Sequence, residues 1–128
     1  MTACVRFARV FVPSDTTPSI GDEHQSWIVD AAERDRVAKY LDSGAPILVT
    51  TALGIDQLSP AQGNRVGMSY RTDGEWVWSD ALSYYVATYG LAPENGFYQH
   101  IRDHRYECPE PDDEAQDRAL EELYASWK

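Results

Sequence analysis

Tyr70-Arg71-Thr72-Asp73-Gly74-Glu75-Trp76-Val77-Trp78-Ser79-Asp80 decides how the rest of the chain reads. Asp-Gly between two alternating runs is the strongest short-range hairpin signal, because both central turn residues are expected at positive φ and Asp and Gly tolerate it. Upstream, Arg65 to Arg71 alternates, with Val66, Met68 and Tyr70 on one side. Downstream, Ser79 reads as an N-cap and Asp80 as a complement to the helix dipole. Leu82, Tyr85, Val86 and Tyr89 then recur at helical spacing until Gly90 ends the run. A hairpin that feeds directly into a helix points to an α+β fold.

Working outward toward the N-terminus, Pro46 to Thr51 is apolar and then β-branched, which predicts a central strand covered on both sides. Before it, a helix is expected from an Asp30 N-cap, with Glu33 three residues on, Val37, Tyr40 and Leu41 on one face and Gly44 as the stop. Val5 to Val12 reads as a strand closed by Pro13, with Arg6 opposite Val5 and Phe7, and Ser14 to Gly21 reads as a loop.

Toward the C-terminus, Pro93 is expected in the first turn of a helix whose inner face carries Phe97, Tyr98 and Ile101. A last helix starts near Asp112 and runs to the end on Ala115, Ala119, Leu120, Leu123 and Trp127. A loop containing Pro60, Gly63 and Asn64 precedes the alternating run. The expected architecture is one domain over residues 1–128. It has an antiparallel or mixed sheet of about four strands, including the Asp73-Gly74 hairpin, packed by three to four helices.

The formal charge is −10, and it is uneven: residues 1–64 carry five basic against eight acidic groups, residues 65–128 six against thirteen. A field of that sign repels phosphate backbones and anionic lipid heads and attracts basic partners, so nucleic acid and membrane surfaces are not expected. It also serves simple solubility. Met1 to Phe7 has neither the charged region nor the unbroken apolar stretch of a signal peptide, and no window approaches the roughly 20 apolar residues of a membrane span; a cytoplasmic location is expected. Cys4 and Cys108 are too few for a disulfide framework and too isolated for a zinc site, and both read as free thiols.

Three constellations are candidates for function, and two further patterns are excluded. His100 and His104 have the spacing of a two-histidine metal clip, but Ile101 stands where a zinc protease has Glu; they read as surface histidines near a helix C-terminus, and no metal site is assigned. Ser79 lacks the flanking glycines of a nucleophile elbow, and Gly54, Gly63 and Gly67 lack the spacing of a phosphate loop, so no catalytic residue and no cofactor are assigned. The acidic run Glu107-Cys108-Pro109-Glu110-Pro111-Asp112-Asp113-Glu114 suits a helix N-terminus, or a preorganised anionic surface for Arg and Lys on a partner. Trp76 and Trp78 share one strand face and form either core or an aromatic contact platform, with core favoured for at least one.

The segment Gly67 to Pro93, with its Met-Ser-Tyr-Arg-Thr-Asp-Gly-Glu-Trp-Val-Trp-Ser-Asp-Ala core, Tyr84-Tyr85 and Gly90-Leu91, resembles a group of small actinobacterial proteins similar to toxin-immunity proteins. The resemblance implies a binding role and transfers no catalytic residue. The expected function is therefore a non-enzymatic, acidic protein-binding module, an immunity protein or antitoxin for a basic toxin domain. Its partner-binding residues are Asp73, Glu75, Trp76, Trp78, Glu110, Asp112, Asp113 and Glu114. The alternative is a small enzyme or ligand-binding domain with a pocket walled by Trp76, Trp78, Tyr84 and Tyr85.

Overall fold

The hairpin forms, with its turn one residue later than the Asp-Gly pair suggests. In this computed structural model, Tyr70 pairs with Ser79, Arg71 with Trp78 and Thr72 with Val77, which leaves Gly74-Glu75 as the two central residues. Gly74 has φ 98° while Asp73 and Glu75 stay negative, the sign pattern of a type II′ turn, which needs glycine at its first central position. Asp73 precedes the two central residues, and its side chain is buried.

The structure describes residues 5–8, 27–56, 59, 61 and 63–126. In chain order they form β1 (Arg6–Phe7), α1 (Ala31–Asp42), β2 (Ala45–Leu48), β3 (Leu53–Ile55), β4 (Asn64–Gly67), β5 (Tyr70–Thr72), β6 (Trp76–Ser79), α2 (Asp80–Tyr89), α3 (Asn95–Asp103) and α4 (Asp113–Ser126). One sheet has the order β1-β6-β5-β2 and is mixed, since β1 runs parallel to β6; β3 and β4 form a separate antiparallel pair. The α+β expectation holds. The rest of the expected Val5–Val12 strand, the Ser14–Gly21 loop, Cys4 and Trp127 lie outside the described residues.

Strand alternation sorts the two sides of the sheet. Trp76 and Trp78 face a large core with Val37, Tyr40 and Leu41 of α1, Leu82 and Val86 of α2, and Phe97 and Ile101 of α3. Val77, between them, faces the other way, onto Val5 and Ala119 and Leu123 of α4. Three helices thus cover one face and α4 the other. No helix among the described residues is long and apolar enough to cross a membrane.

Several local expectations shift. The apolar run at Pro46 makes β2, which ends the sheet order among the described residues instead of lying at its centre: of the described strands β5 pairs with it, Pro46 has no N–H to donate, and Val49 to Thr51 are exposed. Arg65 to Arg71 is two strands in two sheets, broken at Met68-Ser69, where the Ser69 hydroxyl bonds the backbone of Thr50. Asn64, expected in loop, begins β4, which pairs with β3.

Asp30 does cap α1, accepting from the Ala32 N–H at 3.1 Å. Gly44, however, is not a left-handed stop: it lies against Trp78, whose indole donates to the Leu41 carbonyl in the last turn of α1. Ser79 stands at the N-cap position but makes no side-chain cap, and the Asp80 N–H goes to the Ser69 carbonyl at 2.8 Å. Gly90 ends α2 in the left-handed region, φ 78°. Pro93 stands outside α3, which begins at Asn95.

Candidate functional site

The tip of the hairpin meets α1 and α3 at one buried carboxylate. Asp73 Oδ1 accepts the N–H groups of Glu75 at 2.9 Å and Trp76 at 2.8 Å, closing the turn from within. Its Oδ2 accepts the Tyr40 hydroxyl at 2.5 Å and is 2.7 Å from His100 Nε2. The Asp73 side chain is 0% exposed. Four donors meet the acceptor demand of a carboxylate that has lost all contact with water. Burial first, and then the bond to Asp73, push the Tyr40 phenol well above its ordinary range.

His100 presents its other nitrogen, Nδ1, to Glu75 Oε2 at 3.4 Å. His104 follows one helical turn later, its ring centroid 4.3 Å from that of His100 and its Nδ1 2.9 Å from the His100 carbonyl. Both rings pack edge-on or tilted against Tyr40. These are therefore not surface histidines, as their place at the helix C-terminus suggests: the His100 side chain is only 13% exposed, because that face of α3 is turned to the hairpin. A dipole argument locates a residue along a helix and says nothing of what lies across from it.

Beyond His104 the chain reverses through Arg105 and Tyr106, both in the left-handed region at φ 56° and 62°. Each such non-glycine residue costs on the order of 1–3 kcal/mol, and strain of this kind collects at functional sites. The Tyr106 N–H returns to the Ile101 carbonyl at 3.0 Å. This reversal brings Cys108, a free thiol, back toward the hairpin; burial and then the Asp73 charge push it up to about 12.

The eight residues expected to bind a partner separate into two groups. Asp73, Trp76 and Trp78 are buried inside the chain, so they present no surface to a partner. Glu75, Glu110, Asp112, Asp113 and Glu114 are exposed. The structure brings the two segments together, since a Cβ placed on Gly74 would lie 3.4 Å from Pro111 Cβ. Asp112 also caps α4 through the Ala115 N–H at 2.8 Å.

No protein-family model, curated protein or solved structure matches the chain.

Two further carboxylates are held by tyrosines: Asp56, which no sequence pattern singles out, and Glu33, which the sequence suggests only as a capping-box residue of α1. Asp56, fully buried, accepts the hydroxyls of Tyr84 and Tyr89, both at 2.6 Å, and the Ser59 N–H at 2.9 Å. Those tyrosines line an open cleft of about 730 Å³ with Leu53, Asn64 and Arg65. The bond to Asp56, with desolvation behind it, pushes Tyr89 up to about 12.

Glu33 of α1 accepts the hydroxyls of Tyr98 and, at 3.2 Å, Tyr106; Arg102 lies 3.5 Å away and over the Tyr98 ring. The Tyr98 bond holds Glu33 below its ordinary 4.5, against an opposing effect of desolvation. A depressed carboxyl contributes stability above its unfolded pKa and loses it as pH falls through the folded value. The stability gap between wild type and Tyr98→Phe should thus be widest at neutral pH and narrow on acidification below 4.5. Urea midpoints at pH 7 and pH 3 check this, and a pH-independent gap refutes it.

Proposed function

We propose that the chain is a non-enzymatic, acidic protein-binding module for a cationic protein domain, in its most specific form an immunity protein that occludes a basic toxin domain. The observation that carries this reading is the exposure of Glu75, Glu110, Asp113 and Glu114 on two segments that meet at the Gly74–Pro111 contact. Pro109 and Pro111 restrict the backbone of the approach to α4, which lowers the conformational cost of presenting Glu110, Asp113 and Glu114 to a partner. A net charge of −10 adds a long-range field that raises encounter rates with a positive surface. The resemblance of Gly67 to Pro93 to immunity-like proteins supplies the specific form.

The alternative pocket is less well supported. Of its four expected walls, Trp76, Trp78 and Tyr85 are buried in packing and only Tyr84 borders an open cleft.

The test uses a cationic toxin domain as the partner, sought among the neighbouring genes, where the toxin of an immunity protein is expected. The variant Glu110→Lys/Asp113→Lys/Glu114→Lys should slow association at low salt by about tenfold or more and flatten the salt dependence, with a smaller effect on dissociation. Association kinetics unchanged by the triple reversal overturn the proposal.

A further inference from the structure

Glu75, His100 and His104 each offer one ligand atom that lies within 4.8 Å of the other two. We infer that these three residues form a binding site for a borderline divalent transition ion, Zn²⁺ being the best matched.

The tautomers follow from the outer partners. His100 directs Nε2 to the Asp73 carboxylate at 2.7 Å, and the neutral tautomer that donates there presents the Nδ1 lone pair on the opposite edge. His104 directs Nδ1 to the His100 carbonyl at 2.9 Å, which leaves its Nε2 as the lone-pair nitrogen. A histidine that ligates a metal nearly always donates its other N–H to a carboxylate or a carbonyl, and here one has each. The carboxylate partner is itself fixed by Tyr40 and two backbone N–H groups, so the His100 ring is held in place from behind.

The spacing also fits. With bonds of 2.0–2.1 Å, adjacent ligands of a tetrahedral zinc stand about 3.3 Å apart. Glu75 Oε2 and His100 Nδ1 are already at 3.4 Å, and His104 sits one turn along the same helix face. Asp73 already serves His100 Nε2, and Glu75 faces the opposite nitrogen while the His104 ring lies beside it, 4.3 Å between centroids. Two imidazoles and one carboxylate favour zinc over the harder calcium and magnesium ions. The Glu75 side chain is 68% exposed, which gives the ion a path from solvent and leaves the fourth position to water or to an outside group. The site stands whether or not the acidic face binds a protein.

The test is a calorimetric titration of untagged, chelator-treated full-length chain with ZnCl₂, followed by Co²⁺ absorption to read tetrahedral geometry. One-to-one binding is expected, with Glu75→Ala and His104→Ala each weakening affinity by at least about tenfold. The variant Glu110→Gln/Asp113→Asn/Glu114→Gln should bind as wild type does. Should His104→Ala fail to fold, Glu75→Ala decides, because its carboxylate is mostly in solvent. Absence of saturable one-to-one binding, or affinity that Glu75→Ala leaves within about twofold, overturns the inference, as does loss of binding in the acidic-run variant.

Discussion

Asp73→Ala is expected to destabilise the protein by about 3–5 kcal/mol, the range for breaking a buried charged network by deleting one partner. Four donors lose their acceptor at once: the Tyr40 hydroxyl, His100 Nε2 and the N–H groups of Glu75 and Trp76. Of these, the Tyr40 ring is 0% exposed and Trp76 is 7% exposed, so water cannot readily replace what is removed. The loss also loosens the turn, which the two backbone bonds close. Against a total stability of about 5–15 kcal/mol for a typical domain, a change of this size approaches global unfolding. Tyr40→Phe removes a single donor to the same carboxylate and should cost about 1.5–3 kcal/mol. The double variant should cost less than the sum, since both changes dismantle one network. Urea denaturation of the three variants provides the measurement. An Asp73→Ala protein within about 1 kcal/mol of wild type would show that the network contributes little.

Trp78→Ala should be comparably severe, at about 3–5 kcal/mol, the range for truncating a buried tryptophan. The indole is 1% exposed, packs against Tyr40 and Phe97, and donates to the Leu41 carbonyl at 3.0 Å. It thereby joins β6 to the C-terminus of α1. Gly44 makes this position sensitive from the other side: a Cβ there would stand 2.4 Å from Trp78 Cζ2. Gly44→Ala should cost about 1–3 kcal/mol through overpacking. In a Trp78→Leu background the same change should cost markedly less, because the obstructing ring is gone. Equal costs of Gly44→Ala in the two backgrounds would contradict the steric account. Thermal melts of the four proteins complete the cycle.

The candidate site was half legible. The four-residue step from His100 to His104 announces a shared helix face, and Asp73 and Glu75 stand out at the hairpin. Their chemistry was assigned differently, as surface histidines and as turn carboxylates open to a partner. What joins them is Tyr40 meeting Asp73 across 33 residues and His100 meeting it across 27. Similar distances hide Asp56, whose tyrosines lie 28 and 33 residues on. No periodicity or turn rule spans such intervals.

Sequence alone determined the elements whose physics closes within a few residues. These are the existence of the β5–β6 hairpin, though not the exact place of its turn, the Asp30 cap of α1, the helical repeat that Gly90 ends, and the Asp112 start of α4. Each rests on a backbone conformation or a hydrogen bond made locally, so neighbouring residues suffice to specify it. Tertiary structure decided the rest: that β2 ends the described sheet order, that both tryptophans are core, and that a turn aspartate becomes the buried link between α1 and α3. Those outcomes depend on which surfaces exclude water together, a property of the assembled layers that no single segment carries.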